Sequence, residues 1–454
     1  MEFYNRSTEI AQLTEVWGGL DDRRSFIVVY GRRRCGKSTL LRKLLRSRDV
    51  YFMATEGDPS LQRRLFARAL ADRFPAFDAV TYTDYDQLFR TLTARTDAPF
   101  TLVIDEFPYL IRNDPSLASI LQRQLDDPAT RTFNLVLCGS SQQMMHDAVL
   151  AATAPLYGRA DEILKIAPLE AGWLTEAFPE LSPPEILREY AVWGGVPRYW
   201  ETRRRFSSLA TTVERTLLTT TGLFYDEAER LLRDDLRDLA QPIAILNTIA
   251  QGVHRPSEIG ARLNRKASDL YRSLTRLVQL GYIQREIPLL TPVQNTRLTH
   301  YRLSDPFLRF YYRFIIPNAS AIGAGTGRSV WDRIDAEFPA FAAQTWEDLC
   351  RRAVLRGLIG PGFTQAGRWW GKDSTGKFLE LDVLATNPAR SEWAVIECKW
   401  GRIERPDRLR ERLEQRVRKL PFYNGTPVRS YVAGAQGQGQ DDSIHPAQVL
   451  RLLR

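Results

Sequence analysis

Cysteine, lysine and long apolar runs are the scarce features of this 454-residue chain. The four cysteines, Cys35, Cys138, Cys350 and Cys398, are scattered with no CxxC pair, so neither a disulfide framework nor a zinc site is indicated. No apolar stretch approaches the roughly 20 residues that a bilayer span needs. The opening Met-Glu-Phe-Tyr-Asn-Arg-Ser-Thr-Glu carries acids where a secretory signal needs a basic and then an apolar stretch. These absences predict a cytoplasmic protein with no membrane partner. Lysine is rarer than the charge suggests: Lys37, Lys43, Lys165, Lys266, Lys372, Lys377, Lys399 and Lys419 are all there are among 63 basic residues, leaving 55 arginines. A net charge of +9 suits an acidic partner such as nucleic acid. An arginine bias of this kind is also what genomic base composition produces, and it makes the surviving lysines informative. The rest is ordinary for a globular chain, 44% hydrophobic and 26% charged, and the length predicts two to four domains.

One of those lysines stands in Phe26-Ile-Val-Val-Tyr-Gly31-Arg-Arg-Arg-Cys-Gly36-Lys37-Ser38-Thr39. A β-branched apolar run, a GxxxxGKS loop and an apolar-periodic helix follow in the order that a phosphate cradle requires. Glycines let backbone N–H groups converge on phosphate, Lys37 reaches the β- and γ-oxygens, and the Ser38 hydroxyl binds Mg²⁺. Gly31, Arg32, Arg33, Arg34, Cys35, Gly36, Lys37, Ser38 and Thr39 are therefore the expected ATP contacts. Phe100–Asp105-Glu106 is an apolar strand ending in two acids, which would place Asp105 on the same Mg²⁺ and Glu106 against the attacking water. A further strand, Phe133–Gly139, ends in Ser140-Ser141-Gln142. Ser140 is placed to sense the γ-phosphate at the crevice of a parallel sheet, although Gly-Ser-Ser is also ordinary turn chemistry.

Alternating strands and helices over residues 1–168 predict a parallel α/β domain with strands at Phe26–Tyr30, Val50–Ala54, Leu102–Asp105, Leu135–Gly139 and Glu162–Ile166. Residues 169–238 turn helical, a lid. Residues 239–316 form a third unit: a short helix capped by Ser257, then Ser268–Leu280 with Leu270, Leu274, Leu277 and Val278 on one stripe and Gly281 as its stop. Strands at 282–286 and 299–303 would close a winged helix. Arg272, Arg276 and Gln279 lie off its apolar stripe, for DNA or for a protein partner. Pro317–Gly327 reads as a linker, and Gly434–Gln440 as a Gly/Gln-rich loop.

Residues 328–454 return to α/β. Phe378–Ala385 and Glu392–Trp400 predict a hairpin in which Glu397 and Lys399 share a face while Cys398 points away. Asp382 on the neighbouring strand and Glu397 would make a hard oxygen site for Mg²⁺ or Mn²⁺. Lys399 would orient a water there, and Glu347 would approach from a helix. This is the D…ExK pattern of metal-dependent phosphodiester hydrolysis; the alternative is an exposed Glu/Lys ion pair on an edge strand. The basic run Arg402–Lys419 and the pair Trp369-Trp370 beside Arg368 would grip a phosphate backbone, or would be a solvated helix with pairs such as Glu414–Arg418.

With these residues in view the chain resembles the archaeal-type P-loop ATPases of the STAND/AAA+ clade, over nearly its whole length. The resemblance rests on Phe3-Tyr-Asn-Arg-Ser-Thr-Glu9, Gly31–Thr39, Asp105-Glu106, Cys138-Gly-Ser-Ser141, Leu156-Tyr-Gly-Arg159, Gly194-Gly-Val-Pro197 and Tyr301-Arg-Leu-Ser-Asp305-Pro-Phe-Leu-Arg-Phe310. It implies an AAA+-like parallel sheet, a helical lid and a winged helix. It also implies that Arg159 acts in trans on the γ-phosphate within a homo-oligomer. Residues 328–454 resemble the PD-(D/E)xK restriction-endonuclease-like fold, with Leu381 where that pattern has Pro. The expectation is an ATPase coupled to DNA binding and metal-dependent DNA cleavage, in defence or mobile-element control. The alternative is a STAND-type regulatory switch that binds DNA or protein without cutting.

Overall fold

The computed structural model describes residues 3–17, 24–292, 298–401, 403–436 and 443–454. Arg402 of the basic run and residues 437–440 of the Gly/Gln-rich loop lie outside the described residues. Contacts divide the chain into two compact units. One is Asn5–Pro168 with Leu231–Arg237; the other contains Leu169–Arg230 and Asp238–Arg454.

The first unit is built on five parallel strands, β1 (Phe26–Tyr30), β2 (Val50–Met53), β3 (Thr101–Asp105), β4 (Asn134–Gly139) and β5 (Glu162–Lys165), in the order β2-β3-β4-β1-β5. All five expected strands are present, within a residue or so at each end, because each is a short apolar run that buries on both faces of a parallel sheet. Phe26–Val29 and Leu102–Asp105 are fully buried. The order matters for chemistry. Strand β4 lies between β1, which leads into the GKS loop, and β3, which delivers Asp105, so Ser140 emerges between them. An aromatic and aliphatic core that includes Phe52, Phe66, Phe89, Phe100 and Phe133 holds the helices to one face.

The second unit carries the helical segment, two helices followed by a two-stranded ribbon where the winged helix is expected, and the C-terminal sheet. Helices Pro183–Trp193 and Pro197–Arg203 flank Gly194-Gly195. A side chain at Gly195 would lie 1.8 Å from the Leu169 carbonyl oxygen, so only glycine permits that backbone approach. Helices Pro256–Arg262 and Ala267–Gln279 precede an antiparallel ribbon of β6 (Ile283–Glu286) and β7 (His300–Leu303). Leu270, Leu274 and Leu277 are buried as the stripe predicts. Arg255 rather than Ser257 occupies the N-cap of the first helix, because Pro256 suits the first helical turn.

The segment expected to be a linker is helical. Ile316–Asn318 is a 3₁₀ turn, Ala319–Gly323 is a helix, and Gly327 opens the long helix Gly327–Val354. Glycine and alanine serve there for close packing: a Cβ on Gly327 would meet the Leu218 carbonyl oxygen at 2.3 Å. The long helix packs on a four-stranded sheet of β8 (Gln365–Lys372), β9 (Phe378–Thr386), β10 (Trp393–Lys399) and β11 (Val428–Gly434), ordered β11-β10-β9-β8. The β9–β10 hairpin is as expected, while β11 adds in parallel to β10. Strand β8 reassigns the tryptophan pair: Trp369 and Trp370 are buried at 4% and 2% exposure, so they are core and form no grip for a phosphate backbone. The helix Pro406–Val417 covers the sheet, and Glu414–Arg418 is indeed an i,i+4 pair at 3.5 Å.

Candidate functional sites

In the first unit, the loop after β1 turns through left-handed residues at Gly31 (φ 144°), Arg34 (φ 69°) and Gly36 (φ 89°). A methyl at Gly31 would lie 2.3 Å from the Ile166 carbonyl oxygen, so this glycine sets both the turn and its close contact. The helix Lys37–Leu44 begins at Gly36 without a side-chain cap. Its first N–H groups and positive dipole end are the donor set that a phosphate takes. Lys37 is 5% exposed, and its ammonium donates to the carbonyls of Gly31 (2.8 Å) and Arg32 (3.0 Å), spanning the loop that it is to serve.

Asp105 is fully buried at the end of β3. One of its oxygens accepts from the Tyr51 hydroxyl on β2, and the other from the Glu106 amide at 2.9 Å. The Asp105 charge and burial together push the Tyr51 phenol well above its ordinary range, burial being the larger cause. Glu106 adopts a left-handed backbone (φ 53°) before a helix that starts with Pro108 in its first turn. Its carboxylate accepts from the Ser140 hydroxyl and from the Ser140 amide at 3.2 Å. The acid and the serine predicted to sense phosphate are thus joined directly. Ser38 and Asp105 supply hard oxygen donors, which fit Mg²⁺.

Arg159 is placed elsewhere. Its guanidinium grips Asp126 with two bonds, at 2.7 and 2.8 Å. Asp161, two residues on, receives the Phe26 amide at the start of β1, so Arg159 lies toward the edge of the sheet opposite the GKS loop of its own chain. The helix ending at Asp126 holds the side chain there, so Arg159 does not serve the loop of its own chain; the action expected of it is in trans, on the γ-phosphate of a neighbouring subunit.

Residues that sequence reasoning did not single out also shape this site. Arg6, 7% exposed, donates to the carbonyls of Cys35 (3.2 Å) and Ala167 (2.6 Å) and pairs with Glu9 at 2.7 Å. It lies in the Phe3–Glu9 segment of the family resemblance, which was the available signal. Asp234 pairs with Arg33 of the loop at 3.4 Å, and Asp235 accepts from the Gln143 amide at 3.2 Å. Burial raises the Asp234 carboxyl, and Asp235 and Glu106 raise it further against the pull of Arg33.

In the second unit, the antiparallel register of β9 and β10 (Ile396 opposite Val383) carries on toward Asp382 and Glu397. The Asp382 carboxylate accepts the Cys398 amide at 2.9 Å. Lys399 donates to Glu397 at 2.6 Å, and Arg416 reaches the other Glu397 oxygen at 3.4 Å. Cys398 is buried. Asp382 is raised above its ordinary range, first by burial and then by the Glu397 charge, with Lys399 pulling the other way. Glu347 on the long helix is pushed up to about 7, by burial first and the Asp382 charge second, against Arg351. Asp382 therefore feels the Glu397 and Lys399 charges, and Glu347 feels that of Asp382. Among the described residues, however, no three acids, histidines or cysteines are grouped so as to hold a metal ion. The exposed ion-pair alternative describes Lys399 only in part, since its partner Glu397 is largely buried, at 14% side-chain exposure.

A five-stranded parallel sheet with a glycine-rich loop, an uncapped helix and a paired Asp-Glu defines a P-loop ATPase. The model of a family described as an ATPase domain predominantly from Archaea matches residues 3–202. Residues 311–411 match a family of archaeal and bacterial proteins of unknown function. An uncharacterized protein of Methanocaldococcus jannaschii is 30% identical over 407 residues, 88% of this chain and 87% of that one. The Walker-type ATPase of Pyrococcus abyssi has a similar fold, with TM-score 0.54 and 22% identity over 68% of this chain and 96% of that one. The ORC2 protein of Aeropyrum pernix matches with TM-score 0.46 and 12% identity over 74% of this chain and 96% of that one. The chain belongs to this archaeal-type ATPase family, and its activity is that of an ATPase. Among the described residues, no helix is long and apolar enough to cross a membrane.

Proposed function

We propose that ATP bound at Gly31–Thr39 and hydrolysed with Glu106 as the water-activating base governs metal-dependent DNA cleavage at Asp382, Glu397 and Lys399. In the first step Lys37 leaves the Gly31 and Arg32 carbonyls for the phosphate oxygens, Ser38 and Asp105 hold Mg²⁺, and Ser140 relays the state of the γ-phosphate to Glu106. Arg159, aimed away from its own loop, would serve only a neighbouring subunit of a homo-oligomer.

One observation supports the nuclease reading: Lys399 bonds Glu397 on β10, and Asp382 on the neighbouring β9 feels both charges, beside a Glu347 that burial and Asp382 push up to about 7. Buried carboxylates that raise one another are what a divalent cation relieves, and Mg²⁺ or Mn²⁺ suits their oxygen donors. DNA contact is supported by the winged helix, where Tyr271 is 68% exposed and Arg272 is exposed beside it. Arg416 on Glu397 and Arg351 at 3.8 Å from Glu347 favour a second reading. In it, guanidiniums neutralise the acids, and the domain is a regulatory module that binds DNA or protein without cutting. Nicking of plasmid DNA with Mg²⁺ and ATP separates them: wild type should nick and Lys399→Ala should not. Intact DNA from wild type under Mg²⁺ and Mn²⁺ alike establishes the regulatory switch.

A further inference from the structure

A cavity of about 450 Å³ lies within the second unit, far in sequence from the GKS loop. Its walls come from the helix Pro183–Trp193, the β6–β7 ribbon, the long helix and β8. Guanidiniums dominate it: Arg285, Arg309, Arg351, Arg352 and Arg368 line it, against the carboxylates of Glu286 and Asp348. Arg352 and Arg368 also reach Glu170 and Glu380, and Arg302 stands behind, 3.6 Å from Glu286 and 3.9 Å from Asp348. Arg302, Arg309, Arg351 and Arg368 are largely buried here beside Glu286, Glu347 and Asp348, where charges are costly to leave imperfectly paired. Asp348 feels these cations: burial would raise its carboxyl, yet Arg351, Arg302 and Arg309 hold it below the usual range. Burial in turn pushes Arg309 and Arg352 down to about 10.

Hydrogen-bond accounting points the same way. Arg309 Nε and Trp370 Nε1 have no acceptor, on lining residues 6% and 2% exposed, and Arg368 Nε lacks one as well. Buried donors left unsatisfied are rare and costly in a settled interior, and here every such lining group is a donor. An anionic acceptor in the cavity would satisfy these donors. Carboxylate and phosphate both match guanidinium forks, but several forks around one space suit the multiple oxygens of phosphate. The volume falls within the range that holds a nucleotide-sized ligand. A DNA backbone would need an extended track instead.

We propose that this cavity binds a small phosphorylated ligand of mononucleotide size, separate from the ATP of the first unit.

The test uses the full chain carrying Lys37→Ala, which weakens phosphate binding at the GKS loop, and the arginine variants below assign what remains to the cavity. Calorimetric titration with inorganic pyrophosphate and with 5′-GMP should give one site per chain. Tighter 5′-GMP binding identifies a nucleotide ligand, and tighter pyrophosphate binding identifies a free polyphosphate; both uphold the site. Arg309→Gln should weaken binding at least tenfold. Because Arg309 is buried and its loss can unfold the unit, Arg285→Gln and Arg352→Gln, both nearer the solvent, should each weaken binding about fivefold in a chain with unchanged circular dichroism. Binding by neither probe, or affinity unaltered in both of these variants, overturns the proposal. So does displacement of the probe by a single-stranded oligonucleotide at one to one, which would make nucleic acid the occupant.

Discussion

Arg6 offers the sharpest test of how the ATPase site is held. Its guanidinium has three fixed partners, the carbonyls of Cys35 and Ala167 and the carboxylate of Glu9, while the side chain is 8% exposed. Arg6→Gln keeps a donor for one carbonyl and loses the other two interactions. A hydrogen bond to a charged group contributes about 1.5–3 kcal/mol when buried. The Glu9 pair, 20% exposed on the acid side, contributes about 1 kcal/mol. The expected loss for the first unit is therefore about 3 kcal/mol. Backbone strain does not confuse the comparison, because φ at Arg6 is 97° and every L-residue placed there bears the same cost. The Cys35 carbonyl belongs to the GKS loop, so ATP affinity should fall about tenfold, equivalent to about 1.4 kcal/mol. Arg6→Lys keeps the charge without the fork and should recover less than half of the stability. Urea unfolding, followed by hydrogen exchange at Phe26–Tyr30 amides, measures the first quantity, and equilibrium binding of labelled ATP the second. A stability change below about 1 kcal/mol together with unaltered ATP affinity would refute the reasoning.

Lys37→Ala should abolish ATP turnover without unfolding the chain, and Glu106→Gln should bind ATP but not hydrolyse it; wild-type turnover by Glu106→Gln would remove that residue from the role of base. Asp382→Ala should eliminate Mg²⁺-dependent DNA nicking while sparing ATPase turnover, and parallel loss of both activities would count against separate sites. If Arg272 and Arg276 touch DNA phosphates, replacing both by Ala should reduce the salt slope of DNA affinity by about two, and an unchanged slope would assign that helix face to a protein partner. His300, stacked on Trp370 at 4.5 Å, is lowered to about 4, by burial first and by His254 and nearby arginines after it. Its folded pKa lies below the unfolded value near 6.5, so the stability that it contributes is complete above pH 6.5 and is lost as pH falls toward 4. The whole effect is at most about 3 kcal/mol. His300→Gln should flatten the acid limb of a thermal-stability profile over that window, and an unchanged limb would place the titration elsewhere.

The nucleotide site was legible because its signals are local. Five apolar runs, one glycine-rich loop and one Asp-Glu pair each declare themselves within ten residues, and burial on both faces of a parallel sheet leaves such runs no other use. Arg6 was not legible, since its partners lie 29 and 161 residues away. Pro317–Gly327 misled because glycine and alanine serve close helix packing as readily as flexibility. Trp369 and Trp370 beside an arginine suggested a surface, yet β8 alternates around a register shift and buries both rings. The ExK hairpin was readable from strand period, whereas the competing guanidiniums of Arg351 and Arg416 come from helices on other parts of the chain.

Arg351 touches two places at once. It lines the arginine cavity, and it donates to the backbone carbonyl of Asp382 at 3.0 Å. An anion that drew the Arg351 Nη1 group away would deprive that carbonyl of this donor and weaken the hold on the strand carrying the acid. Thermodynamic linkage makes such an effect mutual: whatever factor a cavity ligand imposes on cation affinity at Asp382, the cation imposes on the ligand. On the two proposed readings together, a single shared side chain would let a small anion in the cavity tune how strongly the hairpin holds a divalent ion.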